Sequence, residues 1–271
     1  MTKSRIGVVA AWMMAVILLP GCTFGNENVG VKSESHQIKE QEAEKEQGEN
    51  ISGQTQKESV YLSNETFTVE EPENENLAGL LQEKVAGVMV QINTGELLGS
   101  GIIWSMNKEN MVIVTAAHVI EEAQNPEITL ADGTILESRD NLWHWRTVSD
   151  CDLGIITIPM EEIPEENLAE CRYVSVDKEA YDNLQPEDII LVMGSRDSVA
   201  GNAYQGKLIE SWIYMEDYSQ YMMLAFTYAK PGMSGGGVFN QNGQFIGILS
   251  GADEQGNLAI LPLSLILREI D

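Results

Sequence analysis

Lys230-Pro231-Gly232-Met233-Ser234-Gly235-Gly236-Gly237-Val238 holds one serine with a glycine two places before it and three directly after it. Glycine permits backbone angles and close approaches that a Cβ would block. A tight turn of this kind can push a hydroxyl outward while its N–H groups converge on one point. Such a point can hold the oxyanion that forms when a hydroxyl attacks a carbonyl. The same residues would also make a glycine-rich hairpin turn with an incidental serine. A base and an orienting acid elsewhere in the chain decide between the two.

Outward from this stretch the pattern is one of short strands and tight turns. Downstream, Val238–Phe239, Gln244–Ser250 and Leu258–Leu261 read as strands, and Leu263 to Ile270 has helical spacing. Upstream, a helical Leu77 to Val85 leads into strands at Val88–Ile92, Leu97–Trp104 and Met111–Thr115. Gly99-Ser100-Gly101 lies inside the second of these, where glycine marks a bulge or a close backbone approach. Further strands are expected at Glu127–Leu130, Thr134–Glu137, Leu153–Ile158, Tyr173–Val176, Ile189–Met193, Gly206–Ile213 and Tyr221–Thr227. Many short strands at this spacing predict an all-β sandwich or barrels.

Two further signals are candidates for the base and the acid. Thr115-Ala116-Ala117-His118 follows an apolar strand, and its two alanines let other chain segments come close to the imidazole. Ser149-Asp150-Cys151-Asp152-Leu153-Gly154-Ile155-Ile156 puts a carboxylate at the mouth of another apolar strand. Asp150 is a rival two residues earlier; Asp152 is preferred because it stands directly before the strand. His36 falls in a polar segment, and His144, between Trp143 and Trp145, reads as a surface-loop residue.

The order His118, Asp152, Ser234 is that of chymotrypsin-type enzymes. With Thr115-Ala116-Ala117-His118, Asp152-Leu153-Gly154-Ile155-Ile156 and Pro231-Gly232-Met233-Ser234-Gly235-Gly236, residues 77–265 resemble a trypsin-like serine protease, nearest in style to the bacterial Deg/HtrA type. The resemblance implies an all-β fold of two antiparallel six-stranded barrels, at about 77–176 and 177–262, with a C-terminal helix over 263–270. It implies His118, Asp152 and Ser234 as a catalytic triad, the N–H groups of Gly232 and Ser234 as an oxyanion hole, and no cofactor or metal. Gly247-Ile248-Leu249-Ser250-Gly251 is similar to the strand that lines the substrate cleft. Tyr228 would stand at the base of the primary specificity pocket, faced by Ser250, Gly251 and Ala252, whose small size leaves the entrance open. Met233 departs from the usual Asn or Asp, and Gly237 stands where Pro is common. Because the sequence stops at Asp271, the peptide-binding PDZ module of many Deg/HtrA proteases is not expected.

The N-terminal part is of a different kind. Lys3 and Arg5 precede an uncharged apolar run from Ile6 to Leu19, short for a membrane span. It ends Leu19-Pro20-Gly21-Cys22, which resembles a bacterial lipobox and implies lipidation of Cys22 after removal of the preceding residues. Residues 23–75 are expected to be a disordered acidic tether, with too little apolar surface to offset the entropy of ordering. Val60-Tyr61-Leu62 and Phe67-Thr68-Val69 form a weakly apolar patch within it. These features place the folded domain, from residue 76 on, outside the cytoplasm on a lipid anchor.

The formal charge of −26 over 271 residues repels phosphate backbones and excludes nucleic acid as a partner class. Cys22, Cys151 and Cys171 show no metal-ligand spacing with the three histidines. Cys151 and Cys171 are expected to be reduced and buried, with a disulfide as the alternative. The expected function is a tethered serine endopeptidase acting on proteins or peptides, including unfolded ones. The alternative is a catalytically weak protease-fold protein that binds extracytoplasmic peptides. A solute-binding lipoprotein would need a parallel α/β pattern that the sequence lacks.

Overall fold

The computed structural model describes residues 59–60, 76–138, 142–195 and 201–270; Cys22 and His36 lie outside the described residues. After helix α1 (Asn76–Val85), strands β2 (Met89–Asn93), β3 (Leu98–Met106), β4 (Asn110–Thr115), β5 (Glu127–Thr129), β6 (Ile135–Glu137), β7 (His144–Thr147) and β8 (Gly154–Pro159) form one sheet in the order β6-β5-β2-β3-β4-β8-β7. The second sheet comprises β9 (Ile189–Gly194), β10 (Asn202–Met215), β11 (Gln220–Phe226), β12 (Gly237–Asn240), β13 (Phe245–Ala252) and β14 (Asn257–Pro262). Because β10 pairs with both β9 and β11, these six strands close on themselves. The two-barrel expectation is therefore met by one closed six-stranded barrel and one half-barrel of seven strands. Closure leaves the barrel without free edges along its paired length.

Strands β8 and β13 are buried on both faces over much of their length. In β8, Gly154, Ile155, Ile156 and Ile158 are buried while Thr157 is half-exposed, and in β13 every residue from Phe245 to Gly251 is buried. Each sheet has its own interior: Ile92, Ile113, Ile128 and Ile156 in the half-barrel, Val192, Met223, Val238 and Ile260 in the closed barrel. A third cluster lies at the seam and takes residues from both, including Met89, Ile102 and Leu153 with Leu191, Phe239 and Ile248. Trp104 of β3 meets Phe245 of β13 edge-on, ring centroids 6.0 Å apart. The polypeptide crosses this seam at Tyr173–Val176, which is not the strand expected from its composition. Val174 N–H donates to Ile103 of the half-barrel, while Ser175 accepts from Phe245 N–H of the closed barrel. Adjacent residues bonded to different sheets cannot continue a ladder in either.

Other differences have equally local causes. Helices α2 (Ala117–Ile120) and α3 (Lys178–Asp182) are too short for a 3.6-residue period to show, so the expectation of helix only at the two ends of the domain missed both. Asp177 caps α3 by accepting from Ala180 N–H at 3.0 Å. His144 opens β7, exposed, rather than lying in a loop. Two residues of the expected tether, Ser59–Val60 (β1), add a parallel pairing to Tyr214 and Met215. They use the outer edge of β10 beyond Lys207, where its pairing with β9 ends. The chain closes with α4 (Leu263–Ile270), which seats Leu263 and Ile266 in the seam cluster.

Candidate active site

Two consecutive turns shape the stretch from Lys230 to Gly236. Met233 N–H donates to Lys230 C=O at 3.1 Å, closing a four-residue turn with Pro231 second and Gly232 third. Gly232 has φ +95°, so this is the type II arrangement that favours proline and then glycine at those places. Gly236 N–H donates to Met233 C=O at 2.9 Å, closing a second turn with Ser234 second and Gly235, φ +82°, third. Met233 is the shared corner. Its side chain is fully buried in the closed barrel's core, so the position expected to be polar acts here as an apolar plug. The plug backs onto Gly194, where a Cβ would come within 2.6 Å of Met233.

The half-barrel supplies the other side. Thr115 ends β4, and α2 begins two residues later, which carries His118 to the seam. The first-turn N–H groups of a helix have no intrahelical acceptor. Here the N–H of His118 donates to Asp152 Oδ1 at 3.2 Å, and the His118 ring Nδ1 lies 3.1 and 3.2 Å from the two carboxylate oxygens. Asp152 sits just before β8, whose Gly154 pairs with Thr115, so strand register alone brings acid and imidazole together. Burial pulls the His118 pKa down, but the charge of Asp152 and its hydrogen bond outweigh this and leave it raised above 6.5. Asp150, the rival, is exposed with φ +62° in the preceding turn.

The two sides meet through hydrogen bonds centred on Ser100. Ser100 N–H donates to Ser234 C=O at 2.8 Å, Ser100 Oγ donates to Gly232 C=O at 2.7 Å, and Thr115 Oγ1 donates to Ser100 C=O at 2.7 Å. A Cβ at Gly235 would stand 2.2 Å from Thr115 Oγ1 and 2.3 Å from Ser100 O, so only glycine fits between them. Ser234 is thereby held against the strand end that leads to His118. The Ser234 turn thus packs against Thr115 and Ala116, just before His118, and His118 pairs with Asp152.

The expected specificity wall lies on β13. Ser250 and Gly251 are buried and Ala252 half-buried. The wall is not open over Gly251. Tyr218, from the β10–β11 turn, puts its hydroxyl 2.2 Å from where a Gly251 Cβ would be, and that oxygen is buried with no hydrogen-bond partner among the described residues, as is Ser250 Oγ. Burial raises the Tyr218 pKa, and the charge of Asp152 adds to the rise. Tyr228 is half-buried, edge-on to Tyr204 at 5.0 Å, and Lys230 Nζ lies 5.9 Å over the Tyr204 ring. Cys151 and Cys171 are free and buried in different cores, which removes the disulfide alternative. Burial pushes the Cys151 thiol up to about 12, with Asp152 adding to it, so it is inert as a nucleophile near neutral pH.

Residues 99–248, more than half of the sequence, match the family model of the trypsin-like peptidase domain. The chain belongs to the trypsin-like peptidases. HhoB, a candidate serine protease of Synechocystis, is 26% identical to this peptidase over 172 residues, covering 61% of the chain and 37% of HhoB. The chain thus spans well under half of that curated relative. Among solved structures, the inactive form of the Rv3671c protease of Mycobacterium tuberculosis superposes with a TM-score of 0.58 at 16% identity, over 75% of this chain and 98% of that one. An alanine variant of the HtrA-type protease AlgW with a tripeptide gives 0.58 at 18%, over 70% and 61%. These similarities are of fold.

Proposed function

We propose that this peptidase is a serine endopeptidase working through His118, Asp152 and Ser234. The observation that carries the reading is the His118–Asp152 pair, Nδ1 to Oδ1 3.1 Å, on the strand end against which the Ser234 turn is locked. Ser234 Oγ attacks the peptide carbonyl carbon while His118 Nε2 takes its proton. Asp152 holds the Nδ1–H tautomer and stabilises the imidazolium. The carbonyl oxygen, now an oxyanion, is received by the N–H groups of Gly232 and Ser234. Collapse expels the amine, which takes the proton from His118, and leaves an acyl-serine that water hydrolyses by the same steps. Imidazole suits both transfers because it titrates near neutral pH. A serine-directed fluorophosphonate should label Ser234 in the purified domain and fail on Ser234→Ala. A folded wild-type domain that neither labels nor cleaves casein would overturn the reading.

The substrate is a protein or peptide in extended form. Tyr228 offers the pocket a phenol and no carboxylate, and burying an unpaired cation is costly, so cleavage after apolar residues is expected and little after Arg or Lys. Lys230 lies over the Tyr204 ring; sequencing casein products separates an apolar from an acidic preference. The domain works outside the cytoplasm, tethered by a lipid on Cys22; this rests on Lys3, Arg5, the apolar run and Leu19-Pro20-Gly21-Cys22. Cys22→Ser should move the protein to the soluble fraction or stall its processing. An intact mass showing an unmodified N-terminus beyond Cys22 would refute the anchor.

A further inference from the structure

Ser100 lies on β3 in the half-barrel, fully buried, and every polar atom of it is engaged at the seam. Its Oγ donates to Gly232 C=O at 2.7 Å and accepts from Ser195 N–H at 2.8 Å. Its own N–H donates to Ser234 C=O at 2.8 Å, and its C=O accepts from Thr115 Oγ1 at 2.7 Å. Gly232 and Ser234 are the two residues whose N–H groups would receive the oxyanion, and this one residue grips the carbonyl of each. Building on the endopeptidase reading above, we infer that the Ser100 hydroxyl is a positioning group for the oxyanion site, holding its Gly232 side from across the seam.

The geometry gives the hydroxyl a task that the rest of the turn does not duplicate. Pro231 restricts the second residue of the first turn, and the Met233–Lys230 bond closes that turn on itself, so both fix its shape but not its place. Met233 anchors the turn from behind, in the closed barrel. Between Gly232 and the half-barrel, where His118 and Asp152 stand, the Ser100 Oγ bond is a direct polar link. The Ser234 carbonyl is held by Ser100's main chain, which survives any side-chain change; the Gly232 carbonyl is held by the side chain. Removing the hydroxyl frees one end of the donor pair and leaves the other in place. Oxyanion donors act by standing still where charge develops, and small displacements there lower turnover rather than ground-state binding.

Ser100→Ala tests this with labelled casein and a fluorophosphonate on the purified wild-type and variant domains. A full donor is worth about 10² to 10³ in kcat, so loosening one should lower kcat and the labelling rate by about 10- to 100-fold. KM should stay within about threefold. Two backbone groups lose a partner, the buried Ser195 N–H and the half-buried Gly232 C=O, so Tm should fall by about 2–8 °C with the domain still cooperatively folded at assay temperature. A kcat unchanged in a wild type that is active overturns the inference and leaves the endopeptidase reading standing. So does a loss carried by KM, or one that tracks the fraction of unfolded protein. A wild type without labelling or turnover overturns both.

Discussion

In the half-barrel the proposed base is held by side-chain chemistry: His118 is fixed by the carboxylate of Asp152 on its ring and on its N–H. In the closed barrel Ser234 is held by main-chain geometry, in two successive turns with glycine third in each and a buried Met233 between them. The first arrangement is electrostatic and responds to charge and pH. The second is steric and responds to added atoms. A site divided this way should fail differently on its two sides, and the experiments below separate them.

The largest effect is expected at the nucleophile. Ser234→Ala should lower turnover by about 10⁶-fold, as for loss of a serine nucleophile in a related chemistry, with the melting curve little changed. A residual activity above about 1% would place the reaction elsewhere. Asp152→Asn attacks the electrostatic side and should lower kcat by about 10⁴-fold through the wrong imidazole tautomer. If Asp150→Asn were as damaging and Asp152→Asn mild, the acid would be misassigned.

The steric side is probed by Gly235→Ala. Its Cβ would land 2.2 Å from Thr115 Oγ1 at a φ of +82°, so the turn must move. A displacement of about 1 Å lowers activity by about 10²-fold. Here KM-independent loss with an unchanged pH profile is expected; a shifted profile would mean that the two sides are not separable.

The pH dependence belongs to the electrostatic side alone. In the proposed mechanism His118 must be neutral to accept the serine proton, and its pKa is raised above 6.5 because Asp152 outweighs burial. Activity should therefore rise with pH through a limb lying above 6.5. For stability the sign runs the other way. A raised folded-state pKa stabilises below the unfolded value and that contribution disappears as pH rises through the folded one. Asp152→Asn should shift the limb to lower pH, since only the smaller effect of the Glu121 charge then opposes burial; an upward shift would contradict the pairing. The smallest effect is expected for Asp150→Asn, within about twofold in kcat, because Asp150 is exposed.

What the sequence made legible follows the same division. The three proposed catalytic residues are each embedded in a short local motif, so their types and order are readable without knowledge of the fold. Strands β2, β3, β4 and β8 were readable because apolar residues fill them. The half-barrel's open sheet was not readable, since closure depends on which edges meet. Tyr173–Val176 has strand composition, yet its two bonds go to different sheets. Ser100 and Tyr218 were missed as site residues for a related reason. Their partners Gly232 and Gly251 are distant in sequence, and neither residue type signals a long-range contact. The Gly99-Ser100-Gly101 string, read as a bulge or a close backbone approach, was the available clue.

The seam cluster draws Met89, Ile102 and Leu153 from one sheet and Leu191, Phe239 and Ile248 from the other, so neither sheet keeps its apolar surface dry alone. Separating them would expose that surface and break the Ser100 bonds in one event, which ties catalytic competence to global cooperativity. Slow amide exchange at Ser100 and Gly235 should then report the opening of the whole domain rather than fraying of a loop. Loss of activity and calorimetric unfolding would coincide in a single transition, making this peptidase's own turnover a gauge of its folded population.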